Sequence, residues 1–392
     1  MKHLKFILIA SIVLFAFSCA KESQIVNEGN GTGSKFPKEK RTVLVYVAAD
    51  NNLFSTANIS IDQMIHAAKV DHYLDNGNLI IFKDRKYDEG PVLLEIKDKN
   101  GVIYADTLQK YEDLNSADAK VLSQVIQTTL KEYKADSYGL VFWSHGYSWL
   151  PKGYTSMLRS FGDDNGEVME IPDLADAIPD DTFDFIIFDA CLMSSIEVAY
   201  ELRYKTNYLI ASPGEILSTS FPYDRIMKYL YQDREDMQAS MIGVCQEFYN
   251  YYANNDGIKS GAITLMDMDY IDNVIVATRA ILQDRESVIA EMPVKDIQPM
   301  DNRTGSPKHL LYDFGDFMQE VSDDSQYARF RNSMDKFVVY TKTTPTVYYM
   351  GGTMTIDADK YCGISSYIPR TNYPTLNQWY REYMGWYNVV YK

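Results

Sequence analysis

The strongest constraint on how this chain folds is a set of apolar runs that hardly alternate with polar residues: TVLVYVAAD (42–50), NLIIFKD (78–84), YGLVFWSHG (138–146), FDFIIFDAC (183–191) and NYLIASPGE (207–215). A strand that is apolar on successive residues buries both of its faces, which happens in a parallel sheet covered by helices on either side. The stretches between the runs carry helical spacing, over Leu53 to Leu74, Ala117 to Lys134, Pro172 to Ile178, Ser194 to Tyr204 and around 222–254. An α/β fold follows, with a mostly parallel, doubly wound sheet. VLLEIK and GVIYADTL are joined through Asp98-Lys99-Asn100-Gly101 and read as a hairpin, because Asn-Gly supplies the positive φ angles of a tight turn. SGAITLMDM (260–268) adds a further strand. Beyond about residue 270 the pattern is largely helical, with TPTVYYMGGTM and YCGISSYIP as late strands. The expected organisation is therefore a core over 42–270 and a C-terminal subdomain or buttress over 271–392. With 46% hydrophobic residues in 392, a large core is available.

The first residues set the compartment. Lys2 and Lys5 precede an uncharged apolar run from Phe6 to Phe17 that ends at Ser18-Cys19. That run is too short to span a bilayer and reads as a signal peptide over residues 1–18. A cysteine directly after a small residue there resembles a bacterial lipobox, with Cys19 as the lipid-bearing first residue of the mature chain. Residues 19–41, rich in Gly, Ser, Asn, Lys and Glu, suit a flexible tether. The expected location is the bacterial cell envelope, with the lipid on a membrane at the outer membrane or cell surface. The formal charge of −16 becomes −18 once Lys2 and Lys5 leave, which disfavours nucleic acid as a partner and favours cationic peptides. Cys191, Cys245 and Cys362 remain, an odd number, so one thiol is expected to stay free; a bridge between Cys245 and Cys362 stays open.

In a doubly wound sheet, reactive groups gather at the carboxyl ends of the strands. Two of the runs end in such groups, one in His145-Gly146 and the other in Asp189-Ala190-Cys191. Were these strands neighbours, about 4.8 Å apart, the imidazole and the thiol would face one cleft. A thiolate is a strong nucleophile, and an imidazole beside it carries its proton. The backbone N–H groups of Gly146 and Cys191 are the candidate oxyanion donors.

These residues resemble the clostripain family of cysteine peptidases, which share the caspase-like fold. The likeness rests on VLVYVAADNNL (43–53), LVFWSHG (140–146), FDFIIFDACLMSSIEVAYEL (183–202), YLIASPGEI (208–216), FPY (221–223) and LYDFGDF (311–317). It implies an endopeptidase with His145 and Cys191 as its catalytic dyad and a peptide or protein as substrate. It also implies cleavage after Arg or Lys, with acidic side chains at the base of the primary pocket. Asp189 matches one such position, and Glu215 is the nearest candidate for a second. Self-cleavage between the dyad strands is a further implication, with Lys152 and Arg159 as candidate cut sites in residues 152–170. Asp189 has an alternative role as an acceptor of backbone N–H bonds at the sheet edge.

No cofactor is expected. DDNGE (163–167) carries acids and a turn, but it lacks the spacing of a calcium loop and reads as a solvated turn. His66, His72 and His309 have no Cys or His at ligand spacing, so no metal site is expected. The rival to an enzyme is a surface lipoprotein of the same fold that binds peptides or glycans through its 31 tyrosines without hydrolysing them.

Overall fold

The computed structural model describes residues 39–152 and 160–392; the proposed signal peptide, Cys19, most of the tether and Arg159 lie outside the described residues. From Glu39 onward the described residues form one compact unit. Its strands run in chain order as β1 (Glu39–Ala49), β2 (Gly77–Arg85), β3 (Val92–Lys99), β4 (Val102–Lys110), β5 (Ala135–Trp143), β6 (Phe161–Asp164), β7 (Glu167–Met169), β8 (Phe183–Asp189), β9 (Thr206–Ala211), β10 (Ala262–Asp267), β11 (Leu311–Asp313) and β12 (Val338–Thr343). Nine of them make one sheet in the order β12-β10-β9-β8-β5-β1-β2-β3-β4. The five central strands, β9, β8, β5, β1 and β2, are parallel, and each edge is closed by an antiparallel pair.

The apolar runs behave as two-faced strands. Val43, Val45, Val47, Val141, Trp143, Phe185 and Ile187 pack on one side with helices Phe54–Asp71, Tyr223–Leu230 and Met237–Ala253. Their alternates, Leu44, Tyr46, Leu140, Phe142, Ile186 and Phe188, pack on the other with helices Ala119–Glu132 and Ile171–Ala177. Burying each large apolar side chain contributes about 1.5–3 kcal/mol, and a strand buried on both faces gains this at every residue. The β3–β4 hairpin turns as its Asn-Gly dictates: Asn100 and Gly101 have φ of 58° and 80°, and Asp98 Oδ1 accepts the Gly101 N–H at 2.7 Å.

The C-terminal region packs on the second of these faces. Residues of helices Ile271–Leu282, Phe314–Val321, Asp324–Phe337, Pro374–Tyr383 and Gly385–Val390 share that apolar layer. Its strand β12 joins the central sheet beside β10. TPTVYYMGGTM supplies only a short ladder, Thr346–Val347 with Met354–Thr355, while YCGISSYIP supplies Ser365–Tyr367, paired with β11. The edge strand β12 has no two-faced apolar run because it is half-buried along its length. Cys245 lies buried in helix Met237–Ala253, and Cys362 lies buried against Gly315 and Ile364. Both are free thiols.

Candidate active site

The strands ending in His145 and Cys191 are parallel neighbours, with Trp143 opposite Asp189. Each functional residue lies two positions past that matched pair. Cross-sheet bonding continues beyond the strands: Ser144 donates its N–H to Asp189 O at 3.3 Å and its hydroxyl to Ala48 O at 2.6 Å. The chain after β5 is then pinned by the segment leading into the β6–β7 hairpin, since Gly162 N–H reaches His145 O at 3.0 Å and Tyr147 N–H reaches Ser160 O at 2.9 Å. After β8 the backbone turns sharply at Leu192, which takes a left-handed φ of 61°, and the Leu192 N–H bonds Gly214 O at 2.9 Å. Ser195 then caps helix Ile196–Glu201 by accepting the Val198 N–H.

His145, Asp189, Cys191 and Glu215 all line one cavity of about 350 Å³, with Trp143, Ser218 and Ser220 among its walls. Gly146 sits against the turn that carries the sulfur. A Cβ built at Gly146 would lie 2.9 Å from Ala190 Cβ, Cys191 O and Met193 Sδ alike, so only glycine allows this approach. Neither Gly146 N–H nor Cys191 N–H donates to a backbone carbonyl among the described residues.

The electrostatics follow from burial. The Cys191 sulfur accepts the Ile216 N–H at 3.3 Å, with Ile216 O 3.7 Å away. Burial, followed by the nearby Glu215 carboxyl, pushes the thiol up to about 12. Burial also lowers His145, with Asp163 opposing it. At neutral pH both groups therefore rest uncharged. His145 Nε2 lies 2.6 Å from Asn52 Oδ1, in the turn that follows β1.

Asp189 is buried and raised to about 6, first by desolvation. It accepts the Phe221 N–H at 3.3 Å, so its edge-acceptor role is present. The hydroxyls of Ser220 and Tyr223 also donate to it, the latter at 2.8 Å. All three donors converge on Oδ2, leaving Oδ1 with no donor among the described residues. Glu215, raised to about 7 chiefly by burial, is held through both oxygens by the Met350 N–H at 3.1 Å. The cavity lining that holds the Cys191 sulfur thus includes two carboxyls, those of Asp189 and Glu215.

Lys152 does not line the cavity. Its ammonium pairs with Glu167 at 2.7 Å, and its N–H bonds Glu170 Oε1 at 3.2 Å. In DDNGE, Asp163 Oδ1 accepts the Gly166 N–H at 2.9 Å, and Asp164 Oδ2 accepts the Ser116 hydroxyl at 3.0 Å. Among the described residues no group of three or more His, Cys, Asp or Glu is arranged to hold a metal ion.

The sequence alone does not mark Asn52 or the cavity-lining residues Ile258, Tyr348 and Met350. Asn52 was reachable by the strand-end argument that selected His145 and Cys191, once β1 is known to border β5. The wall residues carry no local signal, since exposed apolar side chains are common on any surface.

Residues 45–391 match the clostripain family. The curated clostripain of Hathewaya histolytica is 28% identical over 235 residues, which is 51% of this chain and 44% of that protein's length. Among solved structures, an inactive zymogen C11 protease from Parabacteroides distasonis superposes with a TM-score of 0.81 at 37% identity, covering 91% of this chain and 100% of that one. A secreted C11 cysteine protease from Bacteroides thetaiotaomicron, solved with an irreversible peptide inhibitor, gives a TM-score of 0.77 at 30% identity, covering 90% and 98%. The mostly parallel α/β architecture expected from the residues is the one these structures share, and the chain belongs to the clostripain family.

Proposed function

We propose that this chain is a cysteine endopeptidase that cuts peptide bonds after Arg or Lys, with Cys191 as nucleophile and His145 as its acid–base partner, tethered to a membrane through Cys19. The observation that supports this reading is the single cavity lined by the sulfur, the imidazole and the carboxyls of Asp189 and Glu215. A guanidinium or ammonium guest receives there the carboxylate oxygens it needs for charge-assisted hydrogen bonds, beginning with the open Oδ1 of Asp189.

Because the resting pair is uncharged, the imidazole takes the thiol proton as sulfur attacks the scissile carbonyl. The oxyanion of the tetrahedral intermediate accepts hydrogen bonds from the Gly146 and Cys191 N–H groups. The imidazolium then gives its proton to the departing amine, the C–N bond breaks, and a thioester remains on Cys191. Water adds to the thioester with His145 as base, the C–S bond breaks, and the thiol regains its proton.

Cleavage within residues 152–170 by the protein itself remains part of the proposal, with Lys152 and Arg159 as cut sites. A cut after Lys152 first requires release of its ammonium from Glu167. The lipid anchor rests on Ser18-Cys19 and the tether composition alone. Among the described residues no helix is long and apolar enough to cross a membrane.

The test compares wild type with Cys191→Ala, each produced from residue 20 onward, on fluorogenic peptides ending in Arg or Lys. Loss of hydrolysis in the variant is expected; equal activity would remove Cys191 as nucleophile. No activity in either protein would favour the non-catalytic binding role. Labelled palmitate should enter the full chain and be absent from Cys19→Ala.

A further inference from the structure

We infer that Asn52 is a positioning residue for the reaction, holding His145 in one tautomer and one orientation so that Nδ1 is the nitrogen left for proton transfer with the Cys191 sulfur and the leaving amine. This rests on the His145–Cys191 reading above. The carbonyl oxygen of an amide is an acceptor only, so at 2.6 Å from Asn52 Oδ1 the His145 Nε2 carries the hydrogen. The neutral ring then has its lone pair on Nδ1. When the ring gains a proton during attack, the same Nε2–H bond persists and strengthens, since its donor is now charged.

The backbone that presents Asn52 is itself fixed. Its neighbour Asn51 is buried and donates Nδ2–H to Ala48 O at 3.2 Å and to Asp163 O at 2.7 Å. Asn51 Oδ1 accepts the Leu53 N–H at 2.8 Å, and Asp50 O accepts the Asn165 N–H at 3.0 Å. The turn after β1 is thereby tied to the β6–β7 hairpin, which also holds His145 O through Gly162. In the adjacent pair of asparagines, one side chain locks the turn and the other reaches the imidazole. Asn52 itself is exposed, and its one described side-chain hydrogen bond is to the ring.

An amide is suited to this task because it orients the ring without adding charge. The charged groups around the imidazole are Asp163 from the hairpin and the cavity carboxyls Asp189 and Glu215, with the Cys191 thiol beside them. A carboxylate in place of Asn52 would favour the imidazolium and move the ring away from its uncharged resting state.

The experiment measures kcat, KM, pH profile and melting temperature for wild type, Asn52→Ala and Asn52→Asp on an Arg-terminated fluorogenic peptide. Misplacement of a catalytic group costs roughly 10²-fold in rate, so Asn52→Ala is expected to lose kcat on that order with KM changed less than about threefold and melting unchanged. Asn52→Asp restores an acceptor; it should recover most of the lost kcat at high pH, with the acid limb of kcat/KM displaced upward by about one pH unit. Wild-type kcat and pH profile in Asn52→Ala would overturn the inference, as would equal losses in both variants accompanied by lower melting temperatures. Activity surviving in Cys191→Ala or His145→Ala would instead overturn the dyad reading, whatever Asn52 does.

Discussion

Asp189→Asn separates a carboxylate that recognises substrate from one that merely holds the sheet edge. Three donors converge on Oδ2, from Ser220, Phe221 and Tyr223. An asparagine side chain is expected to keep its oxygen facing those donors, because an NH2 there would oppose the Phe221 N–H and force both hydroxyls to turn round and accept. Its NH2 is thereby turned to the side where Oδ1 stands in the native protein, and the cavity presents a donor where a cationic guest needs an acceptor. The guest loses a charge-assisted hydrogen bond worth about 1.5–3 kcal/mol, and an unpaired buried cation raises the total to about 3–4 kcal/mol. At about 1.4 kcal/mol per factor of ten, kcat/KM for an Arg peptide falls by roughly 10²–10³. The matching citrulline peptide, equal in shape and uncharged, should change by less than tenfold. The fold itself is not weakened. The Asp189 pKa rises from an ordinary 3.8 to about 6, so the stability it contributes is present in acid and lost as pH rises through about 6. Asparagine carries no such loss, and the variant should melt at or above the wild-type temperature at pH 7.5. An unchanged ratio of Arg to citrulline turnover in a folded Asp189→Asn protein would refute the reasoning.

Other outcomes follow from the same geometry. Gly146→Ala sets a methyl 2.9 Å from a backbone oxygen and two side-chain atoms, so the turn must shift; kcat is expected to fall by about 10²–10³ as an oxyanion donor moves, read by steady-state kinetics with circular dichroism as the fold control. With Asp189 at about 6 and Glu215 at about 7, turnover of Arg peptides should climb between about pH 5.5 and 7.5 as the carboxyls ionise, and Glu215→Gln should remove the upper part of that climb. The peptide-free thiol, pushed up to about 12, should react slowly with iodoacetamide at pH 7 and steadily faster above pH 9, and Glu215→Gln should accelerate it by removing a nearby negative charge. Trp149→Ala empties a fully buried site where the indole stacks 5.6 Å from Trp379 and 4.7 Å from Tyr380; chemical denaturation should show a loss of about 3–5 kcal/mol.

The central sheet is legible because burial on both faces favours apolar residues at successive positions, and a run such as FIIF within FDFIIFD has few alternative structures. The same logic placed His145 and Cys191 at the catalytic edge, since strand ends are where a buried element first exposes a side chain. Strand order was the missing quantity. It decides that β1 borders β5 and thus that Asn52 can reach His145, yet order is set by crossover handedness and packing between distant segments. The half-buried strand β12 is not legible in the sequence because its VVYTKT pattern has neither a continuous apolar run nor clean alternation. Glu215 is marked in the sequence by its position in the loop after β9; that its carboxyl is clamped by Met350, more than a hundred residues on, follows only from the fold of the C-terminal region.

The most direct test of the central claim is peptide mapping by mass spectrometry after treatment with an Arg-terminated chloromethyl ketone. The account predicts one adduct, on Cys191, with Cys245 and Cys362 unmodified, and a large drop in labelling for Asp189→Asn. Labelling elsewhere with Cys191 left free, or labelling of Cys191 that is indifferent to the charge of the terminal residue, would contradict it.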